Sequence, residues 1–81
     1  MPVVFRYKGY RFFFFSNEGD PLDPLHVHVR RGAATAKLWL CPQVIAAESH
    51  GMNAAELNEL VRVAEKHRDV IERYWNEHFG I

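Results

Sequence analysis

Apolar and polar positions alternate through the first half of the chain and change to a helical period in the second. "VVFRY" (3–7) and "YRFFFF" (10–15) are apolar, aromatic-rich runs separated by Lys8-Gly9, the pattern of a β-hairpin. Phe12 and Phe14 would face one way, and Arg11, Phe13 and Phe15 the other. Phenylalanine on both faces implies a cover on both sides, a helix on one and a second chain on the other. "SNEGDPLDP" (16–24) reads as a solvated loop, because Gly19, Pro21 and Pro24 interrupt regular structure. "LHVHVR" (25–30) resumes a strand, Arg31-Gly32 marks a second turn, and "AATAKLWL" (33–40) is a third alternating run. In that run Leu38 and Leu40 share one face, and Thr35, Lys37 and Trp39 the other. Pro42 ends it, and "QVIAAES" (43–49) supplies a last short strand. The pattern predicts an antiparallel meander of four or five strands.

"HGMNAAEL" (50–57) is the boundary between the two periods. Asn53 is a good N-cap, and Glu56 three residues later completes a capping-box pattern, with Asn in place of the usual Ser or Thr. From Ala54 the helical pattern runs to about His78, with Gly80 as the stop. At 100° per residue, Leu57, Val61, Ala64, Arg68, Ile71 and Trp75 fall on one face, with Leu60 and His78 beside them. Arg68 is the anomaly in that stripe, with His67 at its rim. A buried guanidinium needs an acceptor or must snorkel to an edge. The expected architecture is α+β: a small antiparallel sheet of four to five strands followed by one long C-terminal helix packed on it. Residues 1–81 form a single domain, strand-rich over 2–48 and helical over about 54–78.

Composition narrows the function classes. A chain of 81 residues has room for one thin core. Its formal net charge is zero, so overall charge would not hold it on nucleic acid, although "RRG" with Lys37 could form a local basic patch. The 14% aromatic content in a neutral protein favours association, and a homodimer is one outcome. Cys41 is the single cysteine and lacks a CxxC partner, so it is expected to be inert in a reducing cytoplasm. Arg6, Lys8 and Arg11 break up the apolar start, which argues against a signal peptide. No apolar run approaches the roughly 20 residues of a membrane span.

The candidate chemistry lies in "HVHVR". His26, His28 and Arg30 share one strand face, and Val27 and Val29 share the other, the natural core face. Two imidazoles two residues apart on a strand can converge on a metal, with a third ligand drawn from Asp20, Asp23, His50 or His67. Equally, the same residues can do acid–base chemistry on a phosphodiester. Histidine supplies a proton acceptor and donor near neutral pH, and Arg or Lys a cation for the phosphorane. His26, His28 and Arg30 would be catalytic, Arg31 and Lys37 auxiliary cations, and Trp39 a base-stacking surface. The plainer reading is that these histidines are hydrogen-bonded strand residues, with Asp20 and Asp23 as local acceptors. His67 and Arg68 read more simply as a tie between helix and sheet than as a catalytic pair. Reaching Asp23 or a strand carbonyl, Arg68 would anchor the histidine strand.

Several of these stretches together resemble the small bacterial family named domain of unknown function 4160. They are Pro24, His26, His28 and Val29; Lys37, Leu38 and Trp39; His50, Gly51 and Met52; and Trp75, Asn76, Glu77, Phe79 and Gly80. The resemblance covers nearly the whole chain. Met52 stands where the family usually has an aromatic, and "PLD" before Pro24 lengthens the loop. Such proteins are often encoded beside a member of the 2442 family, which implies a two-protein module similar to toxin–antitoxin pairs. The resemblance carries no catalytic residues with it. The resulting expectation is a cytoplasmic toxin–antitoxin-like component that binds a small cognate protein encoded nearby, with metal-independent RNA cleavage as its candidate chemistry. It would have no cofactor and no membrane association. The alternatives are a metal-binding protein using His26 and His28, and a non-catalytic interaction module or homodimer.

Overall fold

The first hairpin follows from its turn. Lys8 and Gly9 both adopt positive φ, 48° and 84°, as a two-residue type I′ turn requires, and glycine accepts that geometry without steric cost. The turn pairs Tyr7 with Tyr10 and joins strand β1 (Val3–Tyr7) to strand β2 (Tyr10–Phe13). A second two-residue turn, with φ of 59° at Gly32, pairs Arg31 with Ala34 and joins β3 (His26–Arg31) to β4 (Ala34–Trp39). After Pro42 the chain returns as β5 (Ile45–His50). This computed structural model describes residues 3–15 and 24–79. Among them, five strands form one sheet in the order β1-β2-β3-β4-β5, every neighbouring pair antiparallel. The expected meander is therefore present, with β5 reaching His50.

Two helices follow, α1 (Ala54–Lys66) and α2 (Arg68–Phe79). The capping box at the start of α1 is complete. The Glu56 N–H donates to Asn53 Oδ1 at 2.8 Å, and the Asn53 N–H donates to Glu56 Oε1 at 3.4 Å. The expectation of one long helix over 54–78 is corrected here, because the helix breaks at His67. That residue has φ −107° and ψ 20°. Its backbone N–H donates to the Val63 carbonyl at 3.0 Å, and its ring Nδ1 lies 3.0 Å from the same oxygen. The Val63 carbonyl is thus shared between backbone and ring at the end of α1, and the Ile71 N–H donates to the His67 carbonyl at 3.0 Å at the start of α2. The His67 ring also packs on Phe5, centroids 4.7 Å apart, a tertiary contact that helical periodicity cannot reveal.

Both helices pack on one face of the sheet. The sheet contributes Phe12, Val27, Val29, Leu38 and Leu40 to the core, and the helices contribute Leu60, Val63, Ala64, Ile71 and Trp75. The valines of "HVHV" are thus core residues, as the alternation implies. The buried helical stripe is turned from the expected one toward Leu60 and Val63, which leaves Arg68 at its border. There the Arg68 Nη1 donates to the Pro42 carbonyl at 3.4 Å, just beyond the end of β4. Two tyrosines pin α1 to the first hairpin. Tyr10 Oη donates to Glu56 Oε2 and Tyr7 Oη to Glu59 Oε2, each at 2.6 Å, and Lys8 Nζ reaches Glu59 at 3.4 Å. Among the described residues no helix is long and apolar enough to cross a membrane.

Candidate functional site

Strand register builds the site on the face of the sheet away from the helices. Phe13 on β2 lies opposite His28 on β3, His28 opposite Lys37 on β4, and Lys37 opposite Glu48 on β5. One step along, Arg11, Arg30, Thr35 and His50 form a parallel row. Residues directly opposite across antiparallel strands share a face, with Cβ atoms ~4.5–5.5 Å apart. Two rows of side chains therefore stand side by side. They border a cleft of about 230 Å³ whose lining includes His28, Arg30, Lys37, Glu48 and His50.

Aromatic rings frame this polar surface. Phe13 stacks on the His28 ring (5.7 Å, 29°), and Phe15 meets it edge-on (4.4 Å, 61°). Phe15 remains 40% exposed, so part of its ring faces solvent beside the imidazole. Lys37 Nζ lies 4.5 Å from the centroid of Trp39, a cation–π arrangement that holds the ammonium over the face. Arg30 is fixed in a different way, its Nε donating to the Gly32 carbonyl at 3.1 Å.

His26 departs from expectation. Strand alternation implies an exposed ring beside His28, yet His26 is 0% exposed. Its Nδ1 lies 2.8 Å from the Pro24 carbonyl, which makes that nitrogen the protonated one, since a carbonyl only accepts. The ring contacts Trp39 at 5.4 Å, Trp75 at 5.1 Å and His28 at 5.2 Å, all edge-on or steeply inclined. Trp75 also meets Phe14 at 5.2 Å, so α2 caps this end of the sheet and seals His26 beneath it. The ring acts as a packing centre beside the site.

Arg31 lies apart from the cleft. As the neighbour of Arg30 on a strand it projects to the other side, where its guanidinium sits 5.2 Å over the Tyr10 ring. His67 and Arg68 are likewise on the helical side. Asp20 and Asp23, considered as histidine partners or metal ligands, lie outside the described residues. Among the described residues no three His, Cys, Asp or Glu side chains cluster closely enough to hold a metal ion.

Sequence reasoning brought together His28, Arg30, Lys37 and Trp39, and the structure places these four on one face. It did not assign Arg11, Phe13, Phe15 or Glu48 to that face, and it considered His50 only as a metal ligand. Two-residue turns fix register, and counting outward from Gly32-Ala33, one residue beyond the expected Arg31-Gly32 turn, sets Lys37 opposite His28. No such turn joins β2 to β3, so counting along the sequence does not set Arg11 and Phe13 beside His28. Glu48 was harder, because the ladder between β4 and β5 slips between Lys37 and Leu38.

Fold and site together define a small α+β protein with one sheet face under helices and the other left polar and aromatic. Residues 9–76 match the family model described as Domain of unknown function (DUF4160), and the chain belongs to that family. No curated protein and no solved structure matches it.

Proposed function

We propose that the helix-free sheet face is an RNA-binding surface, and that the chain is one component of a cytoplasmic toxin–antitoxin-like module. A small cognate protein encoded nearby controls access to that face. One observation carries the reading: register sets His28, Arg30 and Lys37 around a single cleft, with Phe13, Phe15 and Trp39 beside them. Single-stranded RNA is held by this combination, cations on its phosphates and flat rings against its unstacked bases. The zero net charge places the burden on these local residues, because no general positive field attracts the strand. The burial of His26 makes it a positioning residue for His28 in this reading, and Arg31 has no contact with the strand. The metal-binding alternative gains no third ligand among the described residues.

Fluorescence anisotropy with a labelled single-stranded RNA tests the proposal. The intact protein binds it at low salt, and Arg30→Ala and Lys37→Ala each weaken binding, whereas Arg62→Ala on the helical side does not. Adding the co-expressed neighbour protein displaces the RNA. Absence of binding at low salt, or binding untouched by both substitutions in the cleft, overturns the reading.

A further inference from the structure

Within that RNA-binding reading, on which this step rests, we propose that His28, Lys37 and Glu48 form an acid–cation–base row that cleaves the RNA backbone by internal transesterification. Register sets the three directly in line on β3, β4 and β5, and all three border the cleft.

In-line attack at phosphorus puts strict demands on spacing. The base touches the attacking 2′-oxygen and the acid touches the departing 5′-oxygen on the opposite side of the phosphorus. Each contact needs about 2.6–3.2 Å, so acid and base stand further apart than two such contacts laid end to end, roughly 6 Å. Side chains on adjacent strands are too close for this. Alternate strands are separated by two inter-strand spacings, about 10 Å, and the side chains can lean inward to close the difference. The strand between them then presents its own residue below the phosphorus. Here that residue is Lys37, whose ammonium meets the charge growing on the non-bridging oxygens.

The carboxylate of Glu48 takes the proton from the 2′-hydroxyl, and O2′ forms a bond to phosphorus. The bond from phosphorus to O5′ breaks with its electron pair left on O5′, which takes a proton from the His28 imidazolium. The products are a 2′,3′-cyclic phosphate and a free 5′-hydroxyl. Glu48 ends protonated and His28 neutral, and proton exchange with water restores both. No redox partner or metal enters the balance. Phe13 and Phe15, in contact with each other, both pack against the His28 ring. The partly exposed Phe15 ring can also stack the base next to the scissile bond.

A DNA oligonucleotide carrying one ribonucleotide is the diagnostic substrate, because only that residue has a 2′-hydroxyl. Cleavage at that residue is expected, leaving a 2′,3′-cyclic phosphate end. Glu48→Gln and His28→Gln should each slow it by about 10²–10⁴-fold, while Arg62→Ala on the helical side leaves the rate unchanged. Glu48 is exposed, so its substitution leaves the core intact. Tight binding of 2′-O-methyl RNA without any cyclic-phosphate product, or unchanged cleavage by Glu48→Gln, overturns the row and leaves the RNA-binding surface standing. Failure of the intact protein to bind RNA at all overturns both.

Discussion

His26 and His28 differ by two positions and share a strand face, yet one is sealed and the other borders the cleft. The difference comes from Trp75, which the helix brings over the end of the sheet onto His26. Nothing in "LHVHVR" encodes that contact, so the alternation correctly gave the face of both rings and could not give the burial of one. The consequence is measurable. His26→Ala should lower unfolding free energy by about 2–4 kcal/mol, because it opens a cavity under Trp75 and leaves the Pro24 carbonyl without its ring partner. His28→Ala, at the half-buried position, should cost less than half as much. Urea unfolding of the two variants makes the comparison, and equal losses would contradict the distinction between packing centre and site residue.

At the scale of elements, the hairpins were legible and the helix break was not. Lys8-Gly9 and Gly32 carry the turn chemistry in the sequence itself, and two-residue turns leave little freedom in register. The capping box at Asn53 was equally visible. By contrast, the helical period runs on across residues 54–78 with only Arg68 out of place in the stripe, and the break at His67 coincides with a ring contact with Phe5 from the other end of the chain. The apparent anomaly of Arg68 was the available hint: a continuous helix with the expected stripe would have driven its guanidinium into the core.

The attachment of α1 to the first hairpin carries a pH dependence. The Tyr10 hydroxyl, helped by the Asn53 backbone N–H, holds the Glu56 carboxyl below its ordinary range. The Tyr7 hydroxyl, with Lys8 beside it, does the same for Glu59. Both pKa values are lower in the folded than in the unfolded state, so the contribution is fully present above the unfolded carboxylate pKa, about 4.3. It is lost as pH falls through the folded values. The thermal midpoint should therefore decline below about pH 4.3, and the double variant Tyr7→Phe, Tyr10→Phe should decline less steeply over the same interval. Parallel acid profiles for the two proteins would contradict the assignment of those bonds.

The whole molecule is a two-layer arrangement with the described helices on one side of the sheet. The α+β class follows from the change of period near residue 50. Which residues border the cleft depends on the pairings of β2 to β5, above all that of the edge strand β5, whose slipped ladder hides Glu48 from a count along the sequence. If Arg11, Arg30 and Lys37 are the cations that meet phosphate, binding of single-stranded RNA should weaken with salt at a logarithmic slope of about −2, and Lys37→Ala should reduce that slope by about 0.7. A salt-independent affinity would mean that the aromatic rings, and not the cations, hold the strand.

The most direct test of the helix-free face as the working surface is a two-dimensional amide NMR titration of the protein with a short single-stranded RNA. Shifts concentrated in β3 and β4, centred on His28, Arg30 and Lys37, are the result expected. Shifts confined to α1, α2 and the Tyr7–Glu59 side, or a spectrum unchanged at saturating RNA, would contradict it.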